Sequence, residues 1–271
     1  MRKLFRKVPL NVIKLILALA FIIPLIVAII VSLQSIDEVN KLPYELSVAD
    51  PSLDNFNFAM SQINLLGYFK NTIIQILICV PCQIITALMA AYAFSHFNFP
   101  MKNLLFTIMI ASLMIPMETV TVSLFKMMVG WDLINTYIAL CITGLINVSA
   151  VFMFRQNMLS IPKSIWEAAR IDGCGHIRYF VKILIPLCKP IIIAQTLLSV
   201  IWAYNDYFWP MLVTTSDSMR TIQTGVAYLK DVAHPGVMMS AVLLILVVPV
   251  ILFVFGLDSI TEGVTAGAVK N

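Results

Sequence analysis

Long apolar stretches separated by short polar segments dominate this chain. A membrane-spanning helix needs about 20 mostly apolar residues, and the sequence contains stretches of that length whose edges are defined to within a few residues. They lie at about 10–33, 70–95, 103–126, 134–157, 189–212 and 238–258. Backbone polar groups in lipid must be hydrogen-bonded within the segment, and the alternating pattern of barrel strands is absent. The pattern therefore predicts an all-α integral membrane protein with six transmembrane helices.

The third stretch is the least regular, because Pro116 and Glu118 interrupt it. We expect it to break into a span and a short helix, 119–130, at the membrane face. The predicted organisation is a cytoplasmic N-terminal segment 1–9, a first transmembrane helix 10–33, an external loop 34–69, a five-helix core permease domain 70–260 that includes a cytoplasmic coupling loop 158–188, and a cytoplasmic C-terminal tail 261–271.

Composition agrees with a membrane location. Hydrophobic residues make up 60% of the chain and charged residues 12%, whereas an ordinary globular domain carries about 25% charged residues. The N-terminal apolar run is about twice as long as a secretory signal core and no typical cleavage site follows it, so we expect it to remain as the first span. No basic face interleaved with aromatic residues is present, which argues against nucleic acid as a partner.

Lysine and arginine residues indicate the orientation. Most of them fall in the two termini and in the connections 96–103 and 158–188, and few fall in the opposite connections. Because cytoplasmic loops carry the excess of basic residues, both termini and the 158–188 loop are predicted to be cytoplasmic. The expected location is the cytoplasmic (inner) membrane of a prokaryote, as a multi-pass protein.

The longest cytoplasmic loop contains the most polar part of the chain, WEAARIDG. Ser164 and Glu167 have the spacing of a capping box, which predicts a helix from Ile165. Gly173 and Gly175 tolerate left-handed geometry and would end that helix after about two turns. A second amphipathic helix is predicted from Ile177 to Leu184, followed by the prolines at 186 and 190.

The first of these helices has two distinct faces. Ile165, Ala168, Ala169 and Asp172 share one face of mostly small side chains, and Trp166 and Arg170 lie on another. A helix this short is marginal alone in water, so docking in a preformed groove is one interpretation. A solvated connector with chance alanines is the other, and the pattern alone does not decide between them.

The same loop resembles the cytoplasmic signature of ABC importer permeases. The matching residues are Glu167, Ala168, Ala169, Gly173, Ile183 and Pro186, flanked by Ile161-Pro162 and Asp172. The family usually has Leu before that proline, where this chain has Ile185. The resemblance covers essentially the whole chain and implies the transmembrane fold of ABC type I importers. It assigns ATPase coupling to Glu167, Ala168, Ala169, Arg170, Asp172, Gly173 and Pro186.

Two further segments resemble the maltose-type permeases of carbohydrate importers. The tail GVTAGAVKN, from Gly263 to Asn271, resembles the tail that reaches toward the paired ATPases, and Gly267, Val269 and Lys270 are its predicted contacts. The tail ends in Asn271, where Gly is common in the family. The segment YNDYFWP resembles the fifth span of that subfamily. By itself, the tail would be interpreted as a frayed terminus.

The resemblance also implies partners and a substrate class. It implies a second homologous permease, two ATP-binding cassette subunits and an extracytoplasmic solute-binding protein, with membrane lipid around the helices. ATP and Mg would be bound by the ATPase subunits, and no cofactor by this chain. The expected substrate is a sugar, an oligosaccharide or a polyol phosphate.

No catalytic set is evident in the sequence. It has neither a GxxxxGK[ST] phosphate loop nor a GxGxxG motif, so ATP hydrolysis must come from a partner. His96, His176 and His234 lie in separate loops and are interpreted as solvated. Cys79 and Cys82 form a C-x-x-C pair that is interpreted as membrane-helix packing, and metal-site spacings are lacking. We therefore expect a transport subunit that is not itself an enzyme.

Polar residues inside the spans mark candidate positions on a solute path. Asn205 and Asp206, beside Tyr204, Tyr207 and Trp209, are candidate sugar contacts, and an interfacial aromatic belt with a solvated acid is the alternative. Asn71, Gln75, Cys79 and Gln83 recur at four-residue steps, which favours interhelical hydrogen bonding over solute contact, and Gln75 is also a candidate path residue. Glu118 is either an outer gate residue or simply exposed to water.

Two other function classes make different demands on the sequence. A secondary, ion-coupled transporter or channel would need intramembrane ionisable residues and inverted repeats, and only Glu118 and Asp206 are available. A receptor or scaffold would need a soluble domain, which the short loops do not provide. The sequence therefore favours the permease of an ATP-driven importer, with the ion-coupled transporter as the alternative.

Overall fold

A computed structural model of the chain describes residues 2–39, 47–229 and 234–268. These ranges form helices and no strand. The helices are α1 (Arg2–Leu33), α2 (Ile36–Val39), α3 (Asp54–Gln62), α4 (Leu65–His96), α5 (Lys102–Ala111), α6 (Met117–Gly130), α7 (Tyr137–Cys141), α8 (Val148–Leu159), α9 (Lys163–Ile171), α10 (His176–Tyr179), α11 (Ile185–Leu187), α12 (Lys189–Asn205), α13 (Phe208–Val213), α14 (Ile222–Leu229) and α15 (Pro235–Ala268).

All of the predicted spans fall on apolar helices. Lys14–Leu33 and Leu65–His96 are each long and apolar enough to cross a membrane. Three pairs of helices meet the same criteria as bent pairs, and Pro235–Ile251 is a shorter apolar helix. The all-α membrane fold is therefore confirmed, while the number of six spans and the side on which each terminus lies remain predictions.

The predicted break in the third stretch is present. The segment Lys102–Met114 and helix α6 meet at 92°, and Pro116 is the extended residue that precedes α6. The helix after the break begins at Met117, slightly before the predicted 119, because a helix can start directly after a proline whose φ is already suitable. Glu118 lies in its first turn and is exposed.

The fourth and fifth predicted spans are also broken, which the apolar pattern did not indicate. Tyr137–Gly144 and α8 meet at 41°, where the side chain of Asn147 accepts a hydrogen bond from the amide of Ala150 at 3.0 Å and caps α8. In the fifth predicted span, α12 ends at Asn205, the backbone of Asp206 is extended, and a new helix, α13, begins at Phe208. Hydropathy alone does not register such interruptions, since the flanking residues are apolar on both sides.

The second helix of the coupling loop is longer than the predicted Ile177 to Leu184. It runs from His176 to Leu187 as α10, a π-helical turn over Phe180–Leu184, and α11. The predicted helix ends at Leu184, before Pro186, whereas in the structure Pro186 lies within α11, directly after the π-helical turn. The chain then turns by 77° before α12.

The predicted segment boundaries at the two ends do not coincide with helix ends. Helix α1 is continuous from Arg2 to Leu33, so residues 2–9 of the predicted N-terminal segment are helical. Helix α15 continues to Ala268, past the predicted boundary between 260 and 261. Gly267 belongs to this helix, whereas Val269 and Lys270 lie outside the described residues. The predicted external loop 34–69 contains α2, α3 and the start of α4.

The chain forms two compact units. The first comprises Met1–Leu65 and Gly225–Val248. In this unit the buried amide of Asn55 donates hydrogen bonds to the carbonyl oxygens of Ser32, at 3.0 Å, and Gln34, at 2.7 Å. The hydroxyl of Ser240 also donates to the Ser32 carbonyl, at 3.4 Å. These bonds satisfy carbonyl groups at the end of α1 that have no partner within the helix.

The second unit comprises Leu66–Thr224 and Pro249–Asn271. Its main apolar core joins α4, α8, α9, α10 and α12, with Phe154, Tyr179 and Leu184 among the fully buried side chains. A smaller cluster joins α6, α7 and α13 around Met128 and Trp209. Helix α9, which carries the EAA residues (Glu167, Ala168 and Ala169), therefore packs directly on the core of this second unit.

Candidate functional sites: the helix with the EAA residues and a polar cavity

Helix α9 carries the EAA residues, and its start differs from the prediction. It begins at Lys163, two residues before the predicted Ile165, and follows Pro162. No side chain caps it, so the predicted capping box of Ser164 and Glu167 does not form. The extended backbone of Pro162 starts the helix earlier and places Ser164 inside the first turn. Both Ser164 and Glu167 are exposed, so Glu167 does not act as a cap.

The end of α9 confirms a role for one of the two predicted glycines. Gly173 has φ +75°, and its amide donates to the carbonyl of Arg170 at 3.0 Å, while the amide of Cys174 donates to the carbonyl of Ala169 at 2.9 Å. This pair of bonds is a Schellman motif, which requires a left-handed residue at that position. Gly175 has φ −80°, so it does not require glycine.

The faces of α9 divide differently from the predicted division. Ala169 is only 6% exposed and packs with Ile165 and Trp166 on the chain's own core. Ala168 and Asp172, expected on the same face as Ala169, are exposed together with Glu167. The prediction of a single face is therefore wrong, because Ala169 is buried against the core of the second unit whereas Ala168 and Asp172 lie at the surface.

Two exposed isoleucines accompany this surface and were not identified from the sequence. Ile171 is 87% exposed and Ile177 is 82% exposed. Their sequence signal is the presence of large apolar residues in the most polar loop of the chain, and their exposure marks a contact surface. The predicted proximity of Trp166 and Arg170 is confirmed, since the guanidinium carbon lies 6.0 Å from the centre of the indole ring.

An aromatic cluster lies directly beneath α9. The Trp166 ring centre is 4.7 Å from those of His176 and Tyr179, and the Tyr92 ring centre is 4.7 Å from that of His96. The interpretation that the histidines lie apart is therefore corrected for His96 and His176, although the side chain of His176 is exposed, as expected of a solvated histidine. Two of them join one cluster that links the end of α4 to the loop around α9. His234 lies elsewhere and accepts a hydrogen bond from the amide of Gly236 at 2.9 Å.

A cavity of about 570 Å³ lies among α4, α12, α13 and the break between α7 and α8. Polar and aromatic side chains both contribute to its walls. They include Gln75, Gln83, Asn147, Ser199, Trp202, Asn205, Asp206, Tyr207 and Trp209. None of these lining residues is basic. A cavity of this size with a few convergent polar groups is the usual form of a small-molecule site.

Several hydrogen-bonding groups in the cavity wall are not satisfied. The amide nitrogen of Gln75 donates to the Asp206 carboxylate at 3.4 Å. The Oε1 atoms of Gln75 and Gln83 and the hydroxyl of Ser199 are buried and have no partner. Buried polar atoms are normally paired with protein, water or ligand, so these unpaired groups make the wall around Gln75, Gln83 and Ser199 a candidate for contact with a bound molecule.

The structure brings together most of the predicted path residues. Gln75, Asn205 and Asp206 line the same cavity. Tyr204 is 1% exposed and is not among the residues that line it, so the cavity does not include this predicted path residue. The indole nitrogen of Trp209 is already used by the protein and donates to the carbonyl of Ala139 at 2.8 Å.

The polar positions on α4 make hydrogen bonds to other segments of this chain, and one of these bonds joins two helices as predicted: the hydroxyl of Tyr137 in α7 donates to Oδ1 of Asn71 at 2.7 Å. The Asn71 amide donates to the carbonyls of Ser218 and Arg220, both at 2.9 Å. The Gln83 amide donates to the Gly144 carbonyl.

All five cysteines are free. Within the described ranges no group of three or more potential metal ligands comes together.

Comparison with known sequences gives a consistent assignment. A family model described as binding-protein-dependent transport system inner membrane component matches residues 83–264. An arabinooligosaccharides transport system permease protein of Halalkalibacterium halodurans is 32% identical over 261 residues, which is 94% of this chain and 93% of the relative. An sn-glycerol-3-phosphate transport system permease protein of Brucella suis biovar 1 is 32% identical over 86% of this chain and 88% of its own.

Solved structures share the fold. A chain of a bacterial ABC transporter involved in the import of the acidic polysaccharide alginate superimposes with a TM-score of 0.77 at 22% identity, covering 93% of this chain and 94% of its own. A chain of the alginate transporter in complex with an alginate pentasaccharide-bound periplasmic protein gives a TM-score of 0.64 at 16% identity, covering 91% and 92%. The expected ABC type I importer transmembrane fold is confirmed by these similarities.

Proposed function

Because the chain belongs to the family of binding-protein-dependent transport system inner membrane components, we propose that it is the permease subunit of an ATP-driven importer for a sugar or related solute. Because of this membership, we prefer the ATP-driven importer to the alternative of an ion-coupled transporter. The proposed location is the cytoplasmic membrane of a prokaryote, with both termini and the α9 loop on the cytoplasmic side.

The proposed complex contains a second homologous permease, two ATP-binding cassette subunits and an extracytoplasmic solute-binding protein. Support for the last partner comes from the alginate transporter, whose structure includes a bound periplasmic protein. ATP and Mg are assigned to the cassette subunits, and the hydrolysis of ATP there drives the movement of this chain. The tail residues Gly267, Val269 and Lys270 are proposed to contact those subunits.

One observation carries the coupling proposal: α9 is anchored on the chain's core by Ala169 and presents the opposite face outward. We assign the groove of a cassette subunit to that outer face, with Ala168 permitting close approach and Ile171 and Ile177 supplying apolar contact area. Glu167, Arg170 and Asp172 lie at its rim as charged partners. Gly173 ends the helix, and Pro186 lies in the helical segment that leads into α12.

Helix α4 connects α9 with the solute cavity. The core beneath α9 includes the end of α4, and α4 also carries Gln75 in the cavity wall. Tyr92 and Gln75 are about 25 Å apart along this helix at 1.5 Å per residue, and Pro81 lies between them. A rotation imposed at the α9 end would therefore change the position of polar groups in the cavity, which is the alternating access expected of an importer.

Cysteine cross-linking tests the docking face, and two adjacent alanines provide a matched pair. In a Cys174→Ser background, Ala168→Cys and Ile171→Cys should cross-link to a cassette subunit in native membrane vesicles. Ala169→Cys should not, because its side chain is buried in this chain. Trapping of the cassette subunit from Ala169→Cys alone, or from none of the three, would refute the proposed face.

The cavity favours a neutral, hydroxyl-rich solute. Its wall offers unpaired acceptors on Gln75 and Gln83 and the carboxylate of Asp206, and sugar hydroxyls can donate to all three. Among its described lining residues no lysine, arginine or histidine is available to pair with a phosphate or carboxylate. Trp202 and Tyr207 are exposed in the wall and provide ring faces for a sugar.

Uptake by the complete transporter in proteoliposomes tests this assignment. Asn205→Ala and Gln75→Leu should each lower the apparent affinity for a neutral oligosaccharide by roughly ten-fold, the value of a hydrogen bond to a buried polar group. Thr86→Val is the control, since Thr86 is an exposed residue of the same helix and does not line the cavity. Unchanged kinetics in both path variants would remove this cavity from the solute route.

A further inference from the structure

A second cavity, of about 460 Å³, lies where the end of α4, the start of α5 and the end of α8 meet. It is distinct from the solute cavity and shares no lining residue with it. It lies near α9, because Phe97, directly after α4, packs on His176 with ring centres 4.8 Å apart. The proposed orientation therefore places it at the cytoplasmic boundary of the membrane.

Two cations line this cavity without an acidic partner. Lys102 and Arg155 are close enough for their charges to repel, and none of the described lining residues is acidic. In the described part of the chain the ion pair found is that of Arg220 and Asp217, elsewhere. The sequence contains no Asp or Glu between Asn55 and Met117. Like charges held together in this way create a local potential that favours an anion.

A purely structural role uses only part of the hydrogen-bonding capacity of these two side chains. Lys102 donates to the carbonyl of Phe97 at 2.7 Å, and the Nε of Arg155 donates to the carbonyl of Phe94 at 3.3 Å. Both bonds satisfy carbonyl groups at the end of α4. Lysine has three donors and arginine five, so the terminal guanidinium nitrogens remain for another acceptor. The Arg155 guanidinium is also held 4.1 Å above the Phe106 ring, which keeps it in place.

The surface beside the cavity is apolar. Helix α5 has no buried residue, and Leu104, Leu105 and Ile108 on it are exposed. A ligand that fits both parts has an anionic head for the cations and hydrocarbon for α5. We propose that this cavity binds the phosphate of an acidic phospholipid headgroup, with the acyl chains lying along α5. Basic pockets between membrane helices on the cytoplasmic side bind such headgroups.

Lipid retention by the assembled transporter in nanodiscs provides the test. Nanodiscs are prepared with phosphatidylglycerol diluted into phosphatidylcholine, and retained lipid is counted by native mass spectrometry. Lys102→Gln should weaken phosphatidylglycerol retention about five-fold, and Lys102→Gln with Arg155→Gln about 30-fold, since each cation near a membrane surface contributes on the order of a five-fold factor. Lys102→Arg should restore retention. Lys182→Gln, which removes an exposed cation from the same region, should leave it unchanged.

Three outcomes would overturn the proposal. Equal phosphatidylglycerol retention by the wild type and Lys102→Gln, in protein of equal thermal stability, would show that the cavity is not a headgroup site. Complete displacement of the lipid by inorganic phosphate at physiological concentration would identify a free anion as the ligand. Loss of a partner subunit from Lys102→Gln, without loss of lipid, would indicate that a carboxylate of that subunit occupies the cavity.

Discussion

The hydroxyl of Tyr92 lies 3.0 Å from Nδ1 of His176, so the last turns of α4 are hydrogen-bonded to the segment that follows α9. Tyr92 is also packed against His96 and Phe180. This contact joins a helix that lines the solute cavity to the loop that carries the EAA residues. It is the most specific link between the two candidate sites.

Tyr92→Phe should reduce coupling with little effect on assembly. Loss of this partly buried hydrogen bond costs about 1 kcal/mol, and the ring packing is retained. We expect solute-stimulated ATPase activity to fall several-fold in the reconstituted complex and the thermal midpoint to fall by a few degrees. His176→Phe should have a similar effect, and the double variant should be no worse than either single variant. Additive effects would show that the two side chains act separately.

Replacement of Gly173 should impair the end of α9 through backbone conformation and not through crowding. Its φ is +75° and no atom lies within 4 Å of the position that a Cβ would take. A left-handed conformation costs an alanine about 1–2 kcal/mol, and asparagine less, so uptake should decrease in the order Gly, Asn, Ala, Val. Valine should uncouple ATP hydrolysis from uptake while membrane insertion, measured by expression, stays normal.

Gly175→Ala is the matched control for this series. Gly175 is also free of neighbours within 4 Å, but its φ of −80° suits any residue. Its uptake should equal that of the wild type. A loss at Gly175 equal to that at Gly173 would contradict the explanation by backbone strain.

Gly144→Ala should destabilise the region between α7 and α8. A Cβ at this position would lie 2.8 Å from the Sγ of Cys79, which is buried, and overpacking of a core costs about 1–3 kcal/mol. The thermal midpoint of the purified protein should fall, and the additional change Cys79→Ala should recover most of the loss. Gly130→Ala, which meets no atom within 4 Å, should be neutral; an equal loss there would point to a general effect of alanine.

The segment around α2 should lose protection at low pH. The backbone amides of Ser35 and Ala49 each donate to the Glu38 carboxylate at 2.9 Å, and these bonds hold the pKa of Glu38 below its usual value. A lowered pKa means that the stabilisation is present above the ordinary glutamate pKa of about 4.3. It is lost as the pH falls through the lower value of the folded protein.

Hydrogen exchange, corrected for intrinsic rates, measures this effect at the amides of Ser35 and Ala49. Their protection should decrease as the pH falls below about 4. In Glu38→Gln the protection should be low at every pH and independent of it over this range. The same pH dependence in the glutamine variant would assign the effect to another group.

The sequence by itself determined the membrane class, the approximate positions of the apolar helices and the family. In lipid, the backbone polar groups of long apolar runs can form their hydrogen bonds only within helices. The EAA residues and Gly173 lie in one polar loop at the spacing of the family signature. The left-handed glycine and the break at Pro116 were also predictable, because each depends on a local backbone preference that neighbouring residues do not alter.

Only the tertiary structure decided which side chains meet. Ala168 and Ala169 are equivalent in the sequence, and packing on the core buries the second while the first stays exposed. His96 and His176 lie in different loops but join one cluster. The cation pair of Lys102 and Arg155 likewise comes from two helices. Such contacts depend on how separate helices pack, and local patterns of apolar and polar residues carry no information about that arrangement.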